Sequence, residues 1–263
     1  MFRTPHRLLV PTVLLPLLCA AQAASASTLL LDDFAAPVPA ISMVAPSQNF
    51  VTSQAGSYAG VAGQFRAAYY FPYASSTGAA PGGTAQIGQG TVTVAAAPAS
   101  IGELELGYGA YGAPPSDLAA NGTNLNLDLS AYNDLQLRFA SLAQPVNVIV
   151  GFYTSKPVAG SGPLYYLDAQ IQLNPAADRG PVSGDVLFKG ADSSTPPSLF
   201  NFSQVDGMVV IVDRASAIYG NSYSLTSLSF TQAVPEPGSV WMLLGGMLFI
   251  GWRGSRRAQR AAP

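Results

Sequence analysis

The chain has 263 residues, of which Asp, Glu, Lys and Arg make up 10%, against roughly a quarter in an ordinary soluble domain. Gly (26) and Pro (21) make it turn-rich, yet 12 Tyr and 12 Phe supply a core, which excludes ordinary disorder. The net charge of -2 is unevenly spread: between Ser27 and Ala233 six basic residues face thirteen acidic ones, with no His and no Cys, so nucleic acid is excluded as a partner by phosphate repulsion.

Arg3 and Arg7 precede an apolar run from Leu8 to Leu18, and Ala21-Gln22-Ala23 and Ala24-Ser25-Ala26 are small-x-small sites. That order predicts a secretory signal peptide over residues 1–26. Pro11 and Pro16 interrupt the run, which is far shorter than the roughly 20 residues of a membrane span. Leu18 stands before Cys19 where a lipidation site wants Gly or Ala, so Cys19 belongs to the apolar stretch.

The following 207 residues, 27–233, have the size of one β-sandwich domain. Apolar or alternating runs bounded by turn residues predict strands at Thr28–Phe34, Phe65–Tyr73, Thr91–Val94, Gly102–Tyr108 and Leu125–Leu129. Further strands are predicted at Asp134–Phe139, Val146–Tyr153, Leu164–Leu173, Asp185–Phe188, Met208–Val212 and Tyr223–Phe230. Leu135 to Phe139 alternates as a half-solvated antiparallel strand does, whereas Val209-Val210-Ile211-Val212 is apolar throughout and suits a central strand covered on both faces. Residues 47–63 and 74–90, rich in Ser, Gly, Ala and Gln, read as long loops, and Leu199–Val205 is the one short helical or 3₁₀ candidate, after Pro196-Pro197. The expected fold is all-β: two stacked antiparallel sheets.

Leu31-Asp32-Asp33-Phe34, Asp128-Leu129-Ser130-Ala131-Tyr132 before Asp134-Leu135, and Phe202-Ser203-Gln204-Val205-Asp206-Gly207 resemble landmarks of galactose-binding-like jelly rolls. The resemblance implies that the opening and closing strands pair and that the Leu-Ser-x-Tyr phrase introduces a sheet strand.

The chain ends with Val234-Pro235-Glu236-Pro237-Gly238, an apolar stretch from Val240 to Trp252, and Arg253, Arg256, Arg257 and Arg260. A helix from Gly238 to Trp252 would be about 22 Å long at about 1.5 Å per residue, a marginal transmembrane anchor against a hydrocarbon core near 30 Å. The Arg cluster keeps the tail cytoplasmic and places the acidic domain outside, in agreement with the signal peptide. Physics alone reads this as a plain anchor behind a stiff Pro-x-Pro linker. Motif, helix and basic tail together, residues 234–260, resemble the PEP-CTERM sorting signal of Gram-negative bacteria. That resemblance implies recognition by a membrane-embedded exosortase, removal of the tail, and company with exopolysaccharide biosynthesis.

Without His or Cys, residues 27–233 cannot build Ser-His-Asp or Cys-His catalysis or a His/Cys zinc site. Carboxylate chemistry needs only two acids, and Glu103 and Glu105 share one face of a strand. Their alternation with Leu104 and Leu106 reads as the exposed side of an amphipathic strand. Gly107-Tyr108-Gly109-Ala110-Tyr111-Gly112 matches G-x-G-x-x-G, but Ala113-Pro114-Pro115 follows where a phosphate-binding helix should begin. It reads as a Gly/Tyr turn whose Tyr108 and Tyr111 can face a sugar. Tyr153, Tyr165 and Tyr166, near the ends of neighbouring strands, form a candidate stacking platform for sugar, with core or cross-strand packing as the competing reading. Asp32 and Asp33 with Asp206 or Asp213 are candidate ligands of a structural Ca²⁺, without an EF-hand spacing to support them. No other cofactor is expected. Asn121-Gly122-Thr123 and Asn201-Phe202-Ser203 match the glycosylation sequon and are assigned no role.

The reading that follows is a secreted, non-enzymatic protein. It is exported, held in the inner membrane as a precursor, sorted by exosortase through Pro235, Glu236 and Pro237 with Arg253, Arg256 and Arg257 orienting the tail, and delivered to the outer cell surface or extracellular matrix. The alternative role is a carbohydrate-binding module for the exopolysaccharide.

Overall fold

A computed structural model describes residues 27–35, 41–44, 54–57, 61–62, 65–74, 81–109, 125–156, 158, 165–190, 192–193, 196–214 and 218–232, with side chains for all but 41–44, 54–57, 74 and 165–166. The expected signal peptide, the tail with Pro235, Glu236, Pro237, Arg253, Arg256 and Arg257, the sequon at Asn121, and Tyr111 lie outside the described residues. Among those described, no helix is long and apolar enough to cross a membrane.

Thirteen strands follow one another in the described chain: β1 (Thr28–Asp32), β2 (Ile41–Val44), β3 (Gln54–Ser57), β4 (Phe65–Ala74), β5 (Gly83–Gly88), β6 (Thr91–Ala96), β7 (Ser100–Tyr108), β8 (Asp134–Leu142), β9 (Val146–Thr154), β10 (Tyr165–Leu173), β11 (Val182–Leu187), β12 (Gly207–Val212) and β13 (Ser222–Thr231). They form two antiparallel sheets. The seven-stranded sheet runs β11-β8-β13-β6-β5-β2, with β1 also on β13, and the six-stranded sheet runs β10-β9-β12-β7-β4-β3. The chain changes sheet repeatedly, and its opening and closing strands pair, Thr28 against Thr231, as a jelly roll requires. The fold is an all-β, jelly-roll-like sandwich.

Strand periodicity explains the layers. In β8, Leu135, Leu137 and Phe139 point into the inter-sheet core while Gln136 and Arg138 point out. In β12 both faces are buried: Met208, Val210 and Val212 join the inter-sheet core, and Val209 and Ile211 a second apolar cluster on the other side. β12 is central, between β9 and β7, as its continuous apolar run predicted. In β13, Leu225 and Leu228 are both fully buried at a spacing of three; register shifts between Leu225 and Ser227 absorb the odd residue, which is what a β-bulge does.

Other expectations shift for local reasons. Leu125–Leu129 is not a strand: only Leu127 bridges Val205, because Asn126 adopts a left-handed φ of 49° that breaks extended pairing. The segments read as loops contain β3 and β5, short strands held by β4 and β6. The 3₁₀ turn spans Pro197–Leu199 rather than Leu199–Val205, since the fixed φ of proline suits a first helical position. Downstream, Asn201 Oδ1 accepts bonds from the Ser203 amide at 3.2 Å and hydroxyl at 2.7 Å, a local turn that competes with helix. The Leu129-Ser130-Ala131-Tyr132 phrase does introduce β8, with Asp128 Oδ1 accepting the Ser130 amide at 2.9 Å and Tyr132 packing on Phe230.

A buried ion pair joins the sheets. Arg66 Nη1 of β4 donates to Asp32 Oδ1 and Oδ2 of β1 at 2.9 and 2.7 Å, Tyr108 Oη of β7 donates to Oδ2 at 3.1 Å, and the Phe34 amide to Oδ1 at 2.8 Å. Arg66 also lies 5.6 Å from the centre of the Phe34 ring. Burial raises the Asp32 carboxyl above its usual range although Arg66 pulls it down.

Candidate functional site

The register of β7 decides where its polar side chains go. Leu104, Leu106 and Tyr108 enter the inter-sheet core, so Glu103 and Glu105 must lie on the outer face of the six-stranded sheet. The sequence reading made that side exposed, and the structure corrects it: Glu103 is 2% and Glu105 3% exposed. Their strand partners explain why. Tyr69 and Ile211 flank Glu105, and Phe71 pairs with Glu103; Tyr69 and Ile211 belong to the second apolar cluster and Phe71 packs against it.

Glu103 hydrogen-bonds both Glu105 and Tyr73. Burial first, and then the negative charge of Glu105, push its carboxyl up to about 7, with Arg214 pulling the other way. Burial, Glu103 and Glu105 together push the Tyr73 phenol up to about 12. The pair is therefore set to share a proton. Carboxyls that hydrogen-bond each other are closer than the roughly 5 Å across which a retaining glycosidase spans a sugar bond.

Arg214, just past β12, lies between two hollows on this face. One, of about 460 Å³, is lined by Asn147, Val148, Ile149, Gln170, Ile171, Gln172 and Arg214. The other, of about 360 Å³, is lined by Tyr73, Ile101, Glu103 and Arg214. Their polar atoms come from three carboxamides, a phenol, a guanidinium and one proton-sharing carboxyl, set among isoleucines. Asp168, on the adjoining β10, is raised by its burial and lowered by Arg214. Such a surface offers both donors and acceptors to a ligand rich in hydroxyls.

The stacking candidates divide. The backbone pairs Tyr166 with Tyr153 and Tyr165 with Thr154, so Tyr153 and Tyr166 are cross-strand partners at one end of β9 and β10 while Tyr165 holds the next register position. Tyr153 is 4% exposed within the second apolar cluster, and the side chains of Tyr165 and Tyr166 lie outside the description. Tyr108 does not face a sugar, a correction to the Gly/Tyr turn: it is fully buried in β7 and bonded to Asp32. Tyr73, 44% exposed at the mouth of the smaller hollow, escaped the sequence reading, as did Arg214 and the carboxamides. The alternation Asp168, Gln170, Gln172 along β10 was the available signal.

The Ca²⁺ candidates do not converge. Asp32 is taken up by Arg66, Asp33 Oδ1 accepts the Ala35 amide at 2.9 Å, and Asp206 Oδ2 accepts the Ser155 amide and hydroxyl at 2.7 and 2.6 Å. Among the described residues no three His, Cys, Asp or Glu are grouped to hold a metal ion. Asp213 stands apart from the others, beside Asn221.

Comparison with curated proteins returns no match. Among solved structures, the chain is similar to the family 11 carbohydrate-binding module from Clostridium thermocellum in complex with a beta-1,3-1,4-mixed-linked tetrasaccharide, at 13% identity and a TM-score of 0.36 over 79% of this chain and 96% of that one. It is similar to CtCBM11 in solution at 13% identity and a TM-score of 0.39, covering 81% and 98%. It is also similar to a cellulase derived from Cel12A of Rhodothermus marinus, at 9% identity and a TM-score of 0.31, covering 74% and 100%. A family model for the PEP-CTERM protein-sorting motif matches residues 233–257. The chain thus carries a PEP-CTERM sorting motif behind a jelly-roll-like β-sandwich, and a motif of this kind marks an exported protein processed at the membrane.

Proposed function

We propose that this is a secreted, non-enzymatic protein of the cell envelope or extracellular matrix. Exosortase reads Pro235, Glu236 and Pro237 while residues 240–252 hold the precursor in the inner membrane and Arg253, Arg256 and Arg257 keep its end cytoplasmic. The observation that carries this reading is the sorting-motif match over residues 233–257. Replacing Pro235, Glu236 and Pro237 together with Ala leaves an uncleaved, membrane-retained precursor, read by fractionation and intact mass. A variant processed like the wild type overturns the sorting role.

The paired hollows favour a second role for the sandwich, binding the exopolysaccharide as a carbohydrate-binding module. Of the six basic residues between Ser27 and Ala233, Arg214 alone lines the hollows, facing Glu103, Glu105 and Asp168. That balance repels a uronate chain and suits an uncharged glycan whose hydroxyls bond the carboxamides. Tyr73 offers an accessible ring for stacking, whereas stacking on Tyr153, beside Tyr165 and Tyr166, requires the cover over its ring to move. A glycan array tests the role: binding to neutral glycans should fall with Tyr73→Ala and with Gln170→Ala/Gln172→Ala. Absence of binding to any glycan, or binding indifferent to these changes, overturns it.

A further inference from the structure

The two ends of the sandwich are tied to each other. Thr28 pairs with Thr231, the Gln232 amide donates to the Ser27 carbonyl at 3.2 Å, and the Ser27 hydroxyl donates to Gln232 Oε1 at 2.7 Å. From the other side, Thr231 pairs with Asp134 of β8, and its carbonyl accepts the Asn133 amide at 3.2 Å. One pair further in, the surroundings change: Phe230 is fully buried, and its partner Leu29 packs against the core. Ser27, Thr28 and Gln232 are exposed. The outermost two pairs therefore form a clasp outside the core, of the kind that frays at small cost, while Leu29 and Phe230 stop the opening.

This clasp adjoins the sorting motif in the chain. Only Ala233 and Val234 separate Gln232 from Pro235, and only Gly238 and Ser239 separate Pro237 from the apolar stretch that begins at Val240. An enzyme that cuts beside Pro235 has to close around backbone that no sheet holds. From Gln232 to Pro235 the chain reaches about 10 Å at full stretch, no more than the thickness of one helix in the wall of a cleft. Released as far as Phe230, it reaches about 17 Å.

We propose that the clasp controls access of exosortase to the sorting motif, so that the tail is removed from those chains in which Ser27 and Thr28 have parted from Thr231 and Gln232. Cleavage of a transiently opened segment follows the population of the open form when opening and closing are fast. The hold between the first and last strands thereby sets how long the precursor keeps its tail. The clasp acts in this way only if exosortase reads Pro235, Glu236 and Pro237, so it rests on that reading and not on the glycan role.

The test follows tail removal from the full precursor in its exporting host, by pulse-chase and intact mass. Thr28→Cys/Thr231→Cys locks the clasp: cross-strand partners lie about 4.5–5.5 Å apart at Cα, within the span of a disulfide, and the one natural cysteine, Cys19, belongs to the expected signal peptide. The locked chain should lose its tail at least about tenfold more slowly than the wild type. Reduction of the disulfide should restore the rate, and so should a Gly-Ser-Gly-Ser spacer inserted between Ala233 and Val234 of the locked chain, which supplies the missing reach. The spacer alone should speed the otherwise unchanged chain by about threefold or more, an arm that stands even if the locked chain fails to fold. A locked chain trimmed at the wild-type rate, a locked chain that stays slow despite the spacer, or a spacer without effect on the unlocked chain overturns the clasp and leaves the sorting role intact. Tail removal that persists with Pro235, Glu236 and Pro237 all replaced by Ala overturns the sorting role, and the clasp with it.

Discussion

The two sheets of this sandwich share one core but present opposite outer faces. On the seven-stranded sheet the outward residues are small or polar and wet: Gln136 donates to Asp185 at 3.1 Å, Arg138 donates to Gln136 at 2.8 Å, and Thr226 Oγ1 donates to the Arg138 carbonyl at 2.9 Å. On the six-stranded sheet the outward residues Ala67, Tyr69, Val209 and Ile211 are buried around two buried glutamates. A face that only needs to be soluble takes the first form. Burying carboxyls carries a desolvation cost, and the face that bears it is the one that holds the hollows.

The comparison can be broken or sharpened by substitution. The largest effect is expected at the joint on which both faces depend. Arg66→Met strands the Asp32 carboxyl in the core and should cost about 3–5 kcal/mol in urea unfolding; a cost below about 1 kcal/mol would mean that the pair does not hold the sheets. Next, Ile211→Ala on the outer face of the six-stranded sheet should cost about 2–4 kcal/mol, as a core deletion does. A surface-like cost there erases the contrast between the faces.

The glutamate pair gives a smaller, pH-dependent effect. The folded Glu103 carboxyl titrates near 7, above its ordinary 4.5, so the fold keeps a proton that the unfolded chain releases between those values. Stability should therefore fall as pH rises from about 4.5 to 7, by several degrees in melting temperature, and Glu103→Gln should flatten the slope. An unchanged slope in that variant removes the shared proton. The smallest effect belongs to the wet face: Arg138→Ala should stay within about 0.5 kcal/mol of the wild type.

Much of this was legible in the residues. The unbroken apolar run of β12 announced a central strand, the alternation in β8 a half-solvated one, and the Leu-Ser-x-Tyr phrase the start of a sheet strand. What failed was exposure. Glu103 and Glu105 alternate with leucines as a solvated strand does, and only the pairing of β7 with Tyr69, Phe71 and Ile211, residues distant in sequence, shows that the outer side is covered as well. β3 and β5 were missed because their few apolar residues are held in extended form by partner strands rather than by local preference. Tyr73 and Arg214 likewise come together only once β4 and β12 lie on either side of β7.

The most direct measurement is the affinity of the full chain for a panel of neutral and uronate-containing polysaccharides, comparing Tyr73→Ala/Gln172→Ala in the hollows with Gln136→Ala/Arg138→Ala on the wet face. The account predicts binding to neutral chains, weakened by about tenfold or more in the first variant and unchanged in the second. Binding that survives the first and is lost in the second would contradict it.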